Sequence, residues 1–287
     1  MKEEALLFGK TGSLVGIISD PYEPKHGKNH PAVILLNAGL IHRVGPNRLY
    51  VRLARALAAN GFVAFRFDFS GIGDSEVRYD NLPFDKSAVD EVQDAMDLLT
   101  EVRQINRFLL LGICSGAENA LNTARRDPRV IGAAPINPGG DSQLLGTYIK
   151  SRRYWKTVLF DPKRWLNALL GRVNFRLMGI NLEGLFIRKK SVSRAASDVA
   201  ADLQALTQRG VDLLHIFSSH DPGLAYFDIV LNSSTGKLNG SGKLKVERIP
   251  QTDHTFSTLR SQQLLLNIIQ DWAQGIVRDR RLESAAP

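Results

Sequence analysis

The sequence predicts an α/β protein built on an open, mostly parallel sheet with helices on both faces. Three observations carry that prediction. Short, continuously apolar runs such as Ala32 to Leu36 and Leu109 to Leu111 suit strands buried on both sides. Segments with apolar residues at helical spacing separate them, and strands alternating with helices imply right-handed crossovers between parallel neighbours. Cysteine is nearly absent, one in 287 residues, so the core must hold without disulfides.

Taken in order, Leu6 to Phe8 and Leu14 to Ser19 are short strand-like pieces. Pro21, Pro24, Gly27 and Pro31 punctuate the chain after them. PAVILLNAG supplies the first buried strand, over Ala32 to Leu36. NRLYVRLARALAANG follows as an amphipathic helix, with Leu49, Leu53 and Leu57 four apart and Gly61 past its end. A strand from Phe62 to Phe69 precedes a helix from Asp85 to Val102, where Val89, Val92, Met96 and Leu99 share a face. Arg107 to Ile113 is the next strand, Ala117 to Arg126 a helix stopped before Pro128, and Val130 to Asn137 a strand. A long interruption follows, from about Gly139 to Ser193. The pattern then resumes with a helix from Ala195 to Gln208, strand VDLLHIFSS, helix LAYFDIVL, strand KLKVERI and a helix from Leu259 to Ile276. The terminal RLESAAP reads as frayed.

The division expected is therefore a core made of residues 1–138 and 194–287, interrupted by an insertion at 139–193. That insertion mixes Trp155, Trp165, Phe175, Leu177, Leu185 and Phe186 with many cations. Its length between two sheet strands suits a helical cap over a site. The net charge of +8 sits there: Lys150 to Arg194 holds 12 Lys/Arg against Asp161 and Glu183, which leaves the remainder near −2. The bland reading of a basic cap is a solvated lid; the sharper one is attraction to an acidic donor such as coenzyme A or an acyl carrier protein, or contact with an anionic membrane face. No nucleic-acid motif appears, and aromatics are only 8%, so nucleic acid is not expected. No apolar run approaches about 18 residues, so no transmembrane segment is expected. MKEEALLFGK is acidic where a secretory leader is basic, which makes the cytoplasm the expected compartment.

The chemistry concentrates at LLLGICSGAENAL, residues 109 to 121. Gly112-Ile113-Cys114-Ser115-Gly116 fits a G-x-nucleophile-x-G elbow with cysteine in the nucleophile's place, between a strand and a helix as that motif requires. A helix N-terminus beside the sulfur favours thiolate. The blander alternative is a packed structural thiol. A nucleophile needs a base, and the base needs an orienting acid. Of the histidines after Cys114, His215 lies inside a strand, whereas His254 lies in the loop QTDHTFS before the last helix. Asp221, in SSHDPG just past a strand's carboxyl end, is the candidate acid; a simple turn former before Pro222 is the alternative. Asp141 is the rival acid, and Asp253 is too near His254 in sequence to face it. The backbone N–H groups of Ser115 and Leu40 are the candidate oxyanion donors, with Asn37-Ala38-Gly39 small enough for close approach. His42 and Arg43 are candidate substrate-binding residues at the rim.

These stretches carry a resemblance. NAGLIHRVGPNR, RFDFSGIGDS, GICSG, HDPG and DHTF together resemble the α/β-hydrolase superfamily, in a serine-aminopeptidase-like branch with a cysteine nucleophile, over nearly the whole chain outside the insertion. The branch is also similar to hydrolases encoded beside exopolysaccharide or polyketide machinery. The resemblance implies the α/β-hydrolase fold with an inserted helical cap and a Cys114–His254–Asp221 triad. Cysteine for serine, and Asn37-Ala38-Gly39 for the common His-Gly, are departures. The activity implied is acyl hydrolysis or acyl transfer from an ester or thioester, with no cofactor or metal. A non-catalytic binding protein on a hydrolase scaffold, and a membrane-surface protein docked by its cap, are the competing classes. Within RFDFSGIGDS, Asp68 and Asp74 are expected as hydrogen-bond acceptors rather than catalysts. Gly9-Lys10-Thr11 lacks the first glycine of a phosphate loop, and His26 with His30 lacks further metal ligands.

Overall fold

The computed structural model describes residues 1–22, 30–139, 189–219, 221–233 and 242–285. Eight strands form one sheet: β1 (Lys2–Phe8), β2 (Leu14–Asp20), β3 (Ala32–Leu36), β4 (Ala64–Phe67), β5 (Phe108–Ile113), β6 (Val130–Ile136), β7 (Asp212–Ser218) and β8 (Leu244–Ile249). Their spatial order is β1-β2-β4-β3-β5-β6-β7-β8. The first hairpin and the β2–β4 pair are antiparallel; every later pair is parallel. Six helices flank it: α1 (Leu49–Ala59), α2 (Phe84–Arg103), α3 (Ser115–Arg126), α4 (Lys189–Gln208), α5 (Pro222–Ser233) and α6 (Leu259–Ala285). This is the α/β-hydrolase fold.

The layering follows from strand alternation. Ala32, Ile34 and Leu36 of β3 pack into one cluster with Val92 and Met96 of α2, Leu121 of α3, Leu203 of α4 and Phe227 of α5. Val33 and Leu35 turn the other way and meet Leu53 and Leu57 of α1 and Leu265, Ile269 and Trp272 of α6. β3 and β5 lie at the sheet's centre with no exposed residue, which is why their sequences show no polar alternation. β8, at the edge, does alternate.

Several boundaries differ from the expectation. β4 spans Ala64–Phe67, shorter at both ends than Phe62 to Phe69, although the Asp68 N–H still bonds Val15 C=O at 3.0 Å in register with the β2 ladder. α3 starts at Ser115, two residues early, because the chain enters the helix directly from the turn at Cys114. α6 runs to Ala285, so residues 281–285 continue the helix instead of fraying. Arg280 anchors that last stretch by donating to Gly210 C=O at 2.8 Å and pairing with Asp212 at 3.7 Å. The expected cap falls mostly on residues 140–188, outside the described residues. Among the described residues no helix is long and apolar enough to cross a membrane.

Candidate active site

The site lies where the parallel strands end. β5 runs into Cys114, whose φ of 58° and ψ of −118° lie outside the ordinary regions for a side-chain-bearing residue. Two close approaches hold it there. A Cβ on Gly112 would stand 2.2 Å from the backbone of Gly116, and one on Gly116 would stand 2.6 Å from both Leu36 C=O and Asn37 C=O. The glycines are thus required by contact, and the turn places Cys114 as the residue that opens α3. Its N–H bonds Ile136 C=O at 3.0 Å, which ties the elbow to β6. Beneath it, the buried hydroxyl of Tyr50 donates to Leu36 C=O at 2.8 Å and accepts from Ile113 N–H at 3.0 Å. Its phenol is shifted upward by burial.

The loop after β8 brings His254 to the thiol. His254 hydrogen-bonds the Cys114 sulfur, and that contact is the main reason the thiol is held below the ordinary cysteine range; burial opposes it. The Ser115 N–H bonds the same sulfur and adds to the lowering. On its other side, His254 Nδ1 lies 2.5 Å from Asp221 Oδ2. The hydrogen bond to Asp221 first, and that to Cys114 second, raise His254 to about 10. Sulfur and imidazole shift in opposite directions, as an acid and a base do when each favours the charged form of the other. Asp221 is almost wholly buried at 2% exposure, while His254 is 43% exposed, so the carboxylate is enclosed and the imidazole is accessible.

HDPG has a physical reading. Asp221 precedes α5 with Pro222 at the helix start, and its Oδ1 accepts from Gly223 N–H at 2.8 Å. A Cβ on Gly223 would stand 2.5 Å from Pro138 C=O and 2.8 Å from the Asp221 carboxylate, so glycine is needed there. Asp253 is engaged within its own loop: its carboxylate accepts from the N–H groups of Thr255 at 3.0 Å and Ser257 at 3.1 Å. His215 is fully buried in β7, stacked on Phe227 with centroids 4.3 Å apart, and lowered to about 3 by burial. Asp141 and His220 lie outside the described residues.

Asn137, absent from the sequence expectations as a site residue, joins these loops. It is fully buried with φ of 46°. Its Oδ1 accepts from Ser218 N–H at 2.7 Å, and its Nδ2 donates to His254 C=O at 2.9 Å. One amide therefore spans the ends of β6 and β7 and the loop that carries His254. An asparagine directly after an apolar strand was the available signal.

The loop after β3 differs in detail from the expectation. Leu40 stands on the crest of a turn closed by Ile41 N–H to Ala38 C=O at 3.1 Å, and the residue is 90% exposed. The amide directed at the elbow is Gly39's, which bonds Ser115 Oγ at 2.9 Å. His42 is exposed. Arg43 does not present its guanidinium to the rim: it is bonded to buried Asp68 and pairs with Asp74 at 2.6 Å. Desolvation opposes these bonds but does not prevail, and Arg43 is raised. Asp68 also accepts from Arg43 N–H at 2.5 Å and from Asn37 Nδ2 at 3.2 Å, while Asn37 Oδ1 accepts from Phe69 N–H at 2.9 Å. Asp68 and Asp74 are thus acceptors that pin the loop. Among the described residues no group of three or more His, Cys, Asp or Glu is placed to hold a metal.

Comparison with known proteins agrees with this architecture. The family model described as serine aminopeptidase, S33, matches residues 28–209, more than half of the chain. No curated protein matches. Among solved structures, the chain is similar to an α/β serine hydrolase without lid from Xanthomonas campestris, at 17% identity and a TM-score of 0.56, covering 100% of this chain and 98% of that one. It is similar to an esterase from Pyrococcus furiosus at 13% identity and a TM-score of 0.58, covering 95% and 90% respectively. A proline iminopeptidase from Mycobacterium smegmatis matches at 14% identity and a TM-score of 0.57, covering 96% and 98%. At such identities the likeness is one of fold.

Proposed function

The chain belongs to the serine aminopeptidase S33 family, and from that premise we propose that it is an acyl hydrolase or acyltransferase in which Cys114 takes the serine's place. The observation that carries the reading is the chain of contacts from the Cys114 sulfur through His254 to buried Asp221, behind an elbow that strains the cysteine backbone. A packed structural thiol has no use for a charged partner or a positive φ.

In the proposed reaction the Cys114 thiolate attacks the carbonyl carbon of an ester or thioester. A C–S bond forms and the carbonyl π pair moves onto oxygen. Collapse of the tetrahedral adduct expels the alkoxide or thiolate leaving group, which takes its proton from the His254 imidazolium. Neutral His254 then takes a proton from water, an amine or an alcohol as that acceptor attacks the acyl-thioester; collapse of this second adduct breaks the C–S bond, releases the acyl product and returns the Cys114 thiolate beside the His254 imidazolium. Asp221 holds His254 through Nδ1, so Nε2 serves the sulfur and the acceptor. The Ser115 N–H is one oxyanion donor, and the turn at residues 38–40 backs the same site, the Gly39 amide, one residue before Leu40, being the one directed at the elbow. Arg43 sets that turn through Asp68 rather than meeting substrate. A thioester accepts amines and alcohols as well as water, so transfer and hydrolysis share this mechanism. The Trp, Phe and Leu residues of the basic segment 139–193 favour an apolar acyl group, and its cations favour a carrier such as coenzyme A or an acyl carrier protein. A lone cysteine with a reactive thiolate suits the cytoplasm.

The test is intact-mass analysis of the protein mixed with a short-chain acyl thioester. A mass gain of one acyl group on Cys114, discharged by water or amines and absent in Cys114→Ala, is expected. No acylation with an alkylatable thiol would point to an inert scaffold instead.

A further inference from the structure

Ser115 offers the site more than its amide. A serine hydroxyl has one proton to give and two lone pairs. One lone pair of Ser115 Oγ already accepts the Gly39 N–H at 2.9 Å. Among the described residues no acceptor is recorded for its proton, although the side chain is only part-exposed. The Ser115 N–H meanwhile stands beside the Cys114 sulfur closely enough to favour its thiolate. N and Oγ of one serine lie three covalent bonds apart, so both can donate to a single oxygen formed next to that sulfur. The Gly39 amide is occupied by Oγ and reaches a substrate oxygen directly only if Ser115 rotates away.

We infer that the Ser115 hydroxyl is itself an oxyanion donor, polarised from behind by the Gly39 N–H. When Cys114 attacks, the carbonyl π pair moves onto oxygen, and that oxygen accepts from Ser115 N–H and Ser115 Oγ–H together. The Gly39 dipole then acts through the hydroxyl, because a hydroxyl that accepts a hydrogen bond donates more strongly. No proton leaves the serine; the hydrogen bond strengthens as charge develops and relaxes when the leaving group departs. Residue 115 thus becomes a determinant of acyl chemistry, separate from thiolate formation. The inference rests on the acyl-enzyme reading above.

The experiment separates the two. Acylation of Cys114 by p-nitrophenyl butyrate forms an oxyanion, whereas alkylation by iodoacetamide needs the same thiolate and forms none. Ser115→Ala is expected to lose about 100- to 1000-fold in acylation rate, the usual cost of one oxyanion donor. Its alkylation rate at the same pH is expected within about threefold of wild type, since thiolate content is untouched. Ser115→Thr, which keeps a hydroxyl, is expected to restore acylation to within about tenfold. Unchanged or faster acylation in Ser115→Ala would mean that the freed Gly39 amide serves directly, and would overturn the inference. Parallel loss of both reactions would assign Ser115 a structural role and overturn it equally. If wild type alkylates readily and is never acylated, the enzyme reading fails first and takes this inference with it.

Discussion

Asn137→Ala separates a tethered His254 loop from a merely neighbouring one. In the folded protein the Asn137 amide satisfies Ser218 N–H at 2.7 Å and His254 C=O at 2.9 Å, while the Asn137 backbone N–H holds Ile216 C=O at 2.8 Å. Truncation keeps the backbone bond and orphans the other two groups. Each buried group left unpaired costs about 1–3 kcal/mol, and alanine at a φ of 46° costs about 1 kcal/mol more than asparagine. The expected loss is about 3–7 kcal/mol, a large share of a domain's usual margin of about 5–15 kcal/mol. The loop carrying His254 also loses its bond to the sheet, and a displacement of about 1 Å at a reacting group costs on the order of 100-fold in rate. Urea denaturation reads the first effect and Cys114 acylation the second. Asn137→Asp sharpens the test. Its carboxyl can still accept from Ser218, but it donates to His254 C=O only when protonated. Both readouts are therefore expected to recover as pH falls. A stability change in Asn137→Ala under about 0.5 kcal/mol, the range of a bland surface substitution, with acylation unaltered, would refute the tether.

Tyr50→Phe removes one oxygen that pairs Leu36 C=O and Ile113 N–H, so about 2–4 kcal/mol should be lost, read as a lower urea midpoint at constant slope; an unmoved midpoint would show those groups find other partners. Gly116→Ala forces a Cβ to 2.6 Å from two backbone carbonyl oxygens, and about 1–3 kcal/mol of overpacking is expected together with loss of Cys114 acylation. Full activity there would argue against a tight elbow. His215 titrates near 6.5 unfolded and near 3 folded, so its neutral burial destabilises the fold as pH drops below 6.5 by on the order of 1.4 kcal/mol per unit until about pH 3, with no contribution above. His215→Phe should flatten the stability profile across that window, and an identical acid slope would place the titrating group elsewhere.

Much of the fold was legible because the sheet's centre is dry on both faces. Ala32–Leu36 and Phe108–Ile113 have no polar alternation to blur, and each is closed by residues with one job, Asn37 and Cys114. The elbow was legible because its steric demand is local: Gly112 and Gly116 crowd backbone within a few residues or one strand away. What needed three dimensions was whatever depends on a distant partner. Arg43 looks like a rim cation in sequence, and only the fold brings Asp68 and Asp74 to it. Gly39 and Leu40 are equivalent as amides until the folded loop brings one to Ser115 Oγ. Asn137 is one polar residue after a strand until Ser218 and His254, 81 and 117 positions away, meet its amide. Likewise the continuation of α6 through residue 285 depends on Arg280 reaching Gly210.

The central claim is that Cys114, His254 and Asp221 work as one coupled unit. The most direct test is the pH dependence of Cys114 alkylation by iodoacetamide in wild type, His254→Ala and Asp221→Asn. Wild type should react as a thiolate from below the ordinary cysteine range up through the His254 titration near 10. His254→Ala should return the profile to about 8.5, losing about tenfold in thiolate at acidic pH for each unit regained, with Asp221→Asn falling between. Three superimposable profiles would contradict the account.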